Sequence, residues 1–418
     1  MKRLLILIGF LVAVSACCMA QLTLQDCRAK AHDNYPMIRQ YKLIEQSRDF
    51  SVENASKGNL PQLSLSGKAS YQSDVTKIPI KIQGYDVESM SRDQYNVLME
   101  LTQNLYDGGV IASQKNIAKA NADVSRGQLD VSMYDINSRI DELFFGILLL
   151  DEQLKQNRLL QEDLSVSRKN IEGMMRNGMA NQTDVDAIHV EQLNTKQQES
   201  SLLTSRKSYL MLLGIFIGEN LGDSTTLIRP DSEMPQTTEN LRPELQLYNA
   251  QSNLLDEQSK ALDTRLRPKF SLFAQGAYGR PGLNMLKREF TPYYILGARL
   301  TWNFGSLYTR KNDKRLIEVS RQQIESNRET FLFNTHLQTV SESQAITDLR
   351  QKLQSDDEIV ALRSNIRSKA ERKIENGTLT VNEMVRQINA ESEAKQAKAI
   401  HEIMLLKEIY KLKNIGNN

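Results

Sequence analysis

The chain repeats itself. Leu60-Pro61-Gln62-Leu63-Ser64-Leu65 has a counterpart in Arg267-Pro268-Lys269-Phe270-Ser271-Leu272. Glu100-Leu101-Thr102-Gln103-Asn104-Leu105 matches Arg299-Leu300-Thr301-Trp302-Asn303-Phe304, and Asn177-Gly178 matches Asn376-Gly377. The last two pairs are offset by 199 residues and the first by 207. Beyond residue 20 the chain therefore reads as a tandem duplication of about 200 residues, with about eight extra residues between the strands of the first copy. The first copy is expected over 21–213, a non-helical linker over 214–238, and the second copy over 239–418.

Each copy holds two short segments in which apolar and polar residues alternate, the period of a strand with one apolar face. In the first, about 63–71, Leu63, Leu65, Gly67, Ala69 and Tyr71 alternate with Ser64, Ser66, Lys68 and Ser70. In the second, about 94–105, Tyr95, Val97, Met99 and Leu101 alternate with Asn96, Leu98, Glu100 and Thr102, where Leu98 breaks the pattern. The third, about 270–278, sets Phe270, Leu272, Ala274, Gly276 and Tyr278 on one face. The fourth, about 293–304, sets Tyr294, Leu296, Ala298, Leu300, Trp302 and Phe304 there. Each has about the 9–11 residues of a tilted transmembrane strand. A single such strand fits a sandwich core as well. Four at matched places in a repeat, behind an export signal, point to a barrel wall between lipid and water.

Four strands cannot close a barrel, since the smallest transmembrane barrels need about eight. An open edge cannot sit in lipid with its backbone groups unsatisfied. The barrel must be shared, and two or three chains would supply eight or twelve strands.

The remainder reads as long helices. No proline interrupts Gly109 to Asn177, where Ile136, Leu143, Leu150, Leu164 and Ile171 hold one heptad position and Ile140, Ile147 and Leu154 the other. None interrupts Ser306 to Asn376, with a looser seam through Ile346, Leu349, Leu353, Leu362 and Ile366. Gly178 and Gly377 end these helices as glycines do at the position after a C-cap. New helices come next, led by Thr183-Asp184 and Thr380. The 71 residues of 306–376 equal the 37 of 24–60 and the 34 of 380–413 together; the 69 of 109–177 compare with 33 in 181–213 and 29 in 239–267. Each long helix, roughly 105 Å at full length, is thus expected to lie beside two short ones stacked end to end. The linker, with Gly214, Gly218, Gly222, Pro230 and Pro235, should form a belt where short helices meet.

Composition agrees with thin helices rather than a large core. Only 40% of residues are apolar and 6% aromatic, with 9 prolines and 20 glycines. A mean hydropathy of −0.46 excludes a polytopic helical membrane protein. Lys and Arg total 53 against 51 Asp and Glu, a balance that excludes a nucleic-acid binder relying on basic excess. Residues 1–20 read as a signal peptide: Lys2-Arg3, an apolar run from Leu4 to Val14, then small residues. Two cleavage readings compete. Cleavage after Ala20 suits ordinary signal peptidase, while Val14-Ser15-Ala16-Cys17 resembles a lipobox that would lipidate Cys17. After cleavage at Ala20, Cys27 is the one cysteine left, and it reads as a small apolar helix residue.

Together these features resemble the TolC family of outer-membrane efflux proteins. The segment Leu22-Thr23-Leu24-Gln25-Asp26-Cys27-Arg28-Ala29-Lys30-Ala31-His32-Asp33-Asn34-Tyr35-Pro36 is similar to that family's opening motif. Leu60-Pro61, Leu105-Tyr106-Asp107-Gly108-Gly109 and the two Asn-Gly turns fall where the family has them. The resemblance covers essentially the whole chain after residue 20, carried by the order and spacing of motifs rather than by any one. It implies a mainly α fold with a small β part. In it a homotrimer shares a twelve-stranded outer-membrane β-barrel, continued into the periplasm by a long α-helical barrel. It implies a passive exit duct for a tripartite efflux or type I secretion system. The partners would be a periplasmic adaptor (membrane fusion protein), an inner-membrane pump of RND, ABC or MFS type, and outer-membrane lipid.

The same resemblance implies the site residues. The hairpin tips that contact the adaptor would be Asn177, Gly178, Met179 and Ala180, and Asn376, Gly377, Thr378 and Leu379. The closed periplasmic mouth is narrowed in the family by acids after the second tip; here Glu383 holds one such position and Arg386 the other. The family's mouth lock pairs a cation with an acid of the first hairpin. The matching residues here are Leu379 and Asp184, so the acid is present without the cation, and Asp184 equally suits a helix N-terminus.

No catalytic or cofactor pattern appears. His32, His189, His336 and His401 are far apart, Asp356-Asp357 reads as a solvated helix face, and there is no P-loop, G-x-S-x-G elbow or metal-binding spacing. Lys68 and Arg299 fall on lumen-facing strand positions. The expectation is a channel and not an enzyme. The alternative is a structural coiled-coil envelope protein without a pore.

Overall fold

The computed structural model describes residues 21–76, 90–235, 239–285 and 287–417. The signal-peptide reading and Cys17 lie outside the described residues. The elements, in chain order, are β1 (Gln21–Leu22), α1 (Leu24–Asn34), α2 (Arg39–Ser56), β2 (Gln62–Tyr71), β3 (Asp93–Tyr106), α3 (Val110–Arg176), α4 (Gln182–Ile217), β4 (Thr226–Leu227), α5 (Pro243–Thr264), β5 (Lys269–Arg280), β6 (Thr291–Thr301), α6 (Ser306–Glu375) and α7 (Val381–Gly416). No described helix is long and apolar enough to cross a membrane. The chain divides into two compact units. Of the described residues, one unit comprises those up to Arg39, those within Leu129–Leu245 and those from Glu329 onward; the other comprises those within Gln40–Gln128 and Gln246–Arg328. Each unit draws on both halves of the sequence, and α3 and α6 contribute to both.

The second unit holds a four-stranded antiparallel sheet in the order β2-β3-β5-β6. Its register places every apolar alternate on one face. Leu63 stands opposite Leu101, Leu65 opposite Met99, Val97 opposite Tyr278, and Phe270 opposite Leu300. A one-residue slip of any strand would move its apolar set to the other side. β2 and β6 are the edges, and among the described residues neither is paired on its outer side. The sequence pattern carried the fourth strand to Phe304, but pairing ends at Thr301, and Trp302 turns to give its indole N–H to the Leu266 carbonyl at 2.9 Å.

The first unit is helical, and its core follows the α3 seam. Ile136, Ile140, Ile147, Leu154, Leu164 and Ile171 are buried, with Phe144 and Phe145. The α6 seam departs from expectation. Ile346 and Leu349 are buried, but Leu362 and Ile366 are exposed, and Asp356, Ala370 and Ile374 face inward instead. Asp356 is therefore no solvated-face residue: it receives His401 Nδ1 of α7 at 2.6 Å.

The opening segment packs within this same unit for reasons each residue supplies. Leu22 enters a parallel pairing of β1 with β4. Thr23 caps α1 in a reciprocal bond pair with Asp26. Leu24, Cys27 and Ala31, at helical spacing, are buried, and burial pushes the Cys27 thiol up to about 12. Asn34 donates its amide to the Ile215 and Phe216 carbonyls at 3.2 and 3.1 Å, closing the C-terminus of α4.

Two boundaries differ from the sequence reading. α4 continues through Gly214 to Ile217, so the non-helical linker begins at Gly218 rather than at 214. Gly214 is there because the Glu219 carbonyl comes within 2.6 Å of where its Cβ would sit. α5 starts at Pro243 instead of 239, with the proline at the first helical position, where it needs no N–H partner. The end-to-end partners also differ. The end of α4 meets the N-terminal helix α1. The end of α7 meets the approach to α5, where the Leu241 N–H donates to the Gly416 carbonyl at 2.9 Å and Asn417 donates to the Leu241 carbonyl at 3.1 Å.

Candidate functional site: two hairpin turns and one amphipathic sheet

The two helical hairpins turn in the same way. Gly178 has φ +75° and Gly377 has φ +67°. At the first turn the Met179 N–H reaches the Met174 carbonyl at 2.9 Å and the Gly178 N–H reaches Met175 at 3.0 Å. At the second, Thr378 N–H reaches Lys373 at 2.9 Å and Gly377 N–H reaches Ile374 at 2.9 Å. These are paired 6→1 and 5→2 bonds, a Schellman motif at each tip. Nothing lies within 4 Å of a Cβ added at either glycine, so backbone conformation alone demands glycine there.

The helix starts beyond the two turns are built differently. Asn181, rather than Thr183, caps α4. Its side chain accepts the Asp184 N–H at 3.0 Å, and Asp184 accepts the Asn181 N–H at 3.0 Å. Asp184 thus serves as the third residue of a capping box. Thr380 caps α7 by accepting the Glu383 N–H at 3.3 Å. Glu383 pairs with Arg386 at 3.2 Å, within one turn of one helix. Glu383 is half-buried and Arg386 exposed.

Asn177, Gly178, Met179, Asn376, Gly377 and Thr378 are exposed. Ala180 and Leu379 are not fully free: both pack on an apolar cluster of Leu164, Ile171, Val185, Ile188, Ile374, Val381, Met384, Val385 and Ile388. That cluster joins the two hairpins behind their turns. Of the eight tip positions, six present a surface and two anchor it.

Sequence reasoning missed the charged layer near this cluster. Arg367 of α6 donates to Asp163 of α3 at 2.6 Å, to Glu391 of α7 at 2.9 Å and to Glu371 at 3.0 Å. Lys395 adds a second pairing to Glu391 at 2.8 Å. Glu391 is 3% exposed. Burial works to raise its carboxyl, but the bonds from Lys395 and Arg367 outweigh burial and hold it below the usual glutamate range. A heptad count carried from Ile346 and Leu349 through Asp356 reaches Arg367 and would have found it.

The sheet's second face is polar and internally bonded. Arg299 pairs with Glu100 at 3.2 Å and lies over the Phe273 ring at 4.9 Å. Gln275 donates to Glu100 at 2.7 Å, and Asn96 donates to the Tyr293 hydroxyl at 2.9 Å. The opposite face carries Leu63, Leu65, Tyr71, Tyr95, Val97, Met99, Leu101, Tyr294, Leu296 and Leu300, all exposed within the single chain. One sheet thus offers a mainly apolar surface on one side, with Asp93, Gln103 and Arg280 toward its ends, and a hydrogen-bonded, mainly polar one on the other. Among the described residues no cluster of His, Cys, Asp and Glu could hold a metal ion.

Residues 28–213 match the family model described as outer membrane efflux protein. That stretch of the chain is similar in sequence to the members of this family. The family consists of outer-membrane channels, not enzymes. Solved structures extend the fold to nearly the whole chain. The CusC channel superposes with a TM-score of 0.71 at 12% identity, covering 95% of this chain and 93% of that one. The outer membrane protein VceC of Vibrio cholerae gives 0.65 at 10% identity, with coverage of 94% and 96%. The MtrE outer membrane channel of Neisseria gonorrhoeae, in its open state, gives 0.63 at 13% identity, with coverage of 94% and 88%. No curated protein sequence matches the chain. The fold of the chain is that of these TolC-like outer-membrane channels.

Proposed function

We propose that this protein is the passive exit duct of a tripartite efflux or type I secretion system, working as a homotrimer. One observation carries the reading: a four-stranded sheet with one apolar face, one polar face and two unpaired edges. Such edges cannot face lipid. Pairing β6 of one copy with β2 of the next leaves no edge in a ring of three, and the polar faces then line a water-filled lumen. The exposed tip residues Asn177, Gly178, Met179, Asn376, Gly377 and Thr378 dock a periplasmic adaptor, with Ala180 and Leu379 fixing the turns beneath them. An inner-membrane pump of RND, ABC or MFS type supplies the energy. Glu383 and Arg386 stand at the periplasmic mouth, and Asp184 supports the first tip as a cap. The order of segments follows the duplication, two copies about a linker that runs from Gly218 to the start of α5 at Pro243.

Planar-bilayer recording tests the duct. Purified protein should give stepwise conductance once the mouth is opened by adaptor or by mutation. Silence under every such condition would favour a structural coiled-coil envelope protein without a pore.

A further inference from the structure

The base of the sheet concentrates positive charge in a chain that is otherwise balanced. The connection from α5 to β5 carries Arg265 and Arg267, and the first turns of α6 carry Arg310, Lys311, Lys314 and Arg315. Arg310 and Lys314 are spoken for: both reach Asp263 at the end of α5, at 2.8 and 3.1 Å. The other four are exposed and form no ion pair among the described residues. The acids nearby are already engaged. Asp263 holds its two cations, Asp313 accepts the Thr309 hydroxyl at 3.0 Å, and Asp107 accepts the Gly109 and Ile111 N–H groups at the start of α3.

Aromatic rings stand at the same level. Trp302 and Phe304 lie 4.9 Å apart, centroid to centroid, just past the end of β6. Their exposures are 54% and 56%, and Tyr308 is 89% exposed. The Trp302 indole N–H is bonded to the carbonyl of Leu266, between Arg265 and Arg267, so ring and cations are tied into one corner. Tyr308, Lys311 and Arg315 come at spacings of three and four and so share a face of α6. Lys311 and Arg315 fall about 5 and 10 Å beyond Tyr308 along the helix. A polar headgroup layer is about 5–8 Å deep on each side of the hydrocarbon.

We propose that Arg265, Arg267, Lys311 and Arg315 form a collar that binds the anionic headgroups of phospholipids in the leaflet meeting the base of the sheet. This rests on the reading of the apolar sheet face as lipid-facing. The chemistry is direct. Rings of Trp and Tyr sit at the boundary of hydrocarbon and water. Unpaired guanidinium and ammonium groups just beyond them meet phosphate oxygens, and guanidinium groups do so with a two-pronged fit. Each cation near a negative membrane surface adds attraction that salt screens.

The chain has one tryptophan, which places a reporter in the collar. The intact protein is reconstituted in phosphatidylcholine bilayers containing the same minor fraction of brominated phosphatidylglycerol or brominated phosphatidylcholine, and quenching of Trp302 emission is measured. We expect the brominated anionic lipid to quench at least about two-fold more strongly at low salt. The preference should vanish at high salt and in Arg265→Gln/Arg267→Gln/Lys311→Gln/Arg315→Gln, with far-UV helicity retained. Equal quenching by both lipids in the unaltered protein overturns the collar while leaving Trp302 in the bilayer. A preference that survives in a folded quadruple variant also overturns it, because these residues would not be its source. No quenching by either lipid removes Trp302 from the membrane, and the lipid-facing reading of the sheet then fails together with the collar.

Discussion

The most informative perturbation is at Arg367. Its guanidinium is 17% exposed and bridges α3, α6 and α7 through Asp163 and Glu391. Replacing it with Met keeps much of the stem and removes the charge. Glu391, 3% exposed, would keep only Lys395. Breaking a buried ion pair on one side costs about 3–5 kcal/mol when the remaining charge is wholly unpaired. Lys395 leaves it partly paired, so a loss of about 2–3 kcal/mol is expected, near the worth of a lost charge-assisted bond. The Asp163 arm is 38% exposed and adds at most ~1 kcal/mol. Arg367→Met/Glu391→Met leaves no buried charge alone and should recover most of the loss, giving a coupling of about 2 kcal/mol. Hydrogen exchange of amides in the α6–α7 turn reads local opening, which suits an assembly whose global unfolding is irreversible. Arg367→Met should speed exchange there by roughly 30- to 150-fold, and the double variant by much less. The contribution depends on pH in a fixed direction. The Glu391 carboxyl is held low in the folded protein. Its stabilisation is therefore full above the unfolded value and lost as pH falls through the folded one. Unchanged exchange in Arg367→Met, or a double variant worse than the single, would refute the reasoning.

The tips give two further expected outcomes. Gly178→Val and Gly377→Val force a β-branched residue into a left-handed conformation, at about 1–2 kcal/mol each, with no steric clash to add. Each should weaken adaptor cross-linking and efflux, and normal values for both in the double variant would remove the turns from docking. Glu383→Gln removes the acid that now pairs with Arg386. It should shift the reversal potential of open channels across a salt gradient toward anions, and an unmoved potential would exclude Glu383 from the mouth.

The strands were legible because their apolar residues recur with period two, a pattern that can be read without the surface that covers them. Leu63, Leu65, Val97, Met99 and Leu296 share a face in the sheet as they do in the alternation. The turns were legible because a left-handed residue selects glycine almost alone. The α6 seam was only half legible. Following apolar residues led to Leu362 and Ile366, which are exposed, whereas the heptad from Ile346 runs on through Asp356, Arg367 and Ile374. Polar residues at inward heptad positions fix register at a cost in stability. A reading that follows hydrophobicity abandons the seam at the point where α6 exchanges apolar packing for ion pairs.

The junctions between short helices show a different limit. Matching lengths paired 24–60 with 380–413, but the ends that meet are those of α4 with α1 and of α7 with the approach to α5. Length arithmetic constrains a sum, and in a duplicated chain two pairings satisfy nearly the same sum. The choice is made by end chemistry. Asn34 reaches the free carbonyls of α4, and Arg206 reaches the Asp223 and Thr225 carbonyls beyond it at 2.9 and 2.8 Å. At the other junction Asn417, in a left-handed conformation with φ 57°, ends α7 and donates to Leu241. Each helix end exposes carbonyls that must find donors. The donors available at a helix end therefore choose the segment that continues it. Asn34 belongs to the opening segment on which the family resemblance rests. Its place in the fold gives that position a physical role: it closes a helix nearly two hundred residues away in sequence.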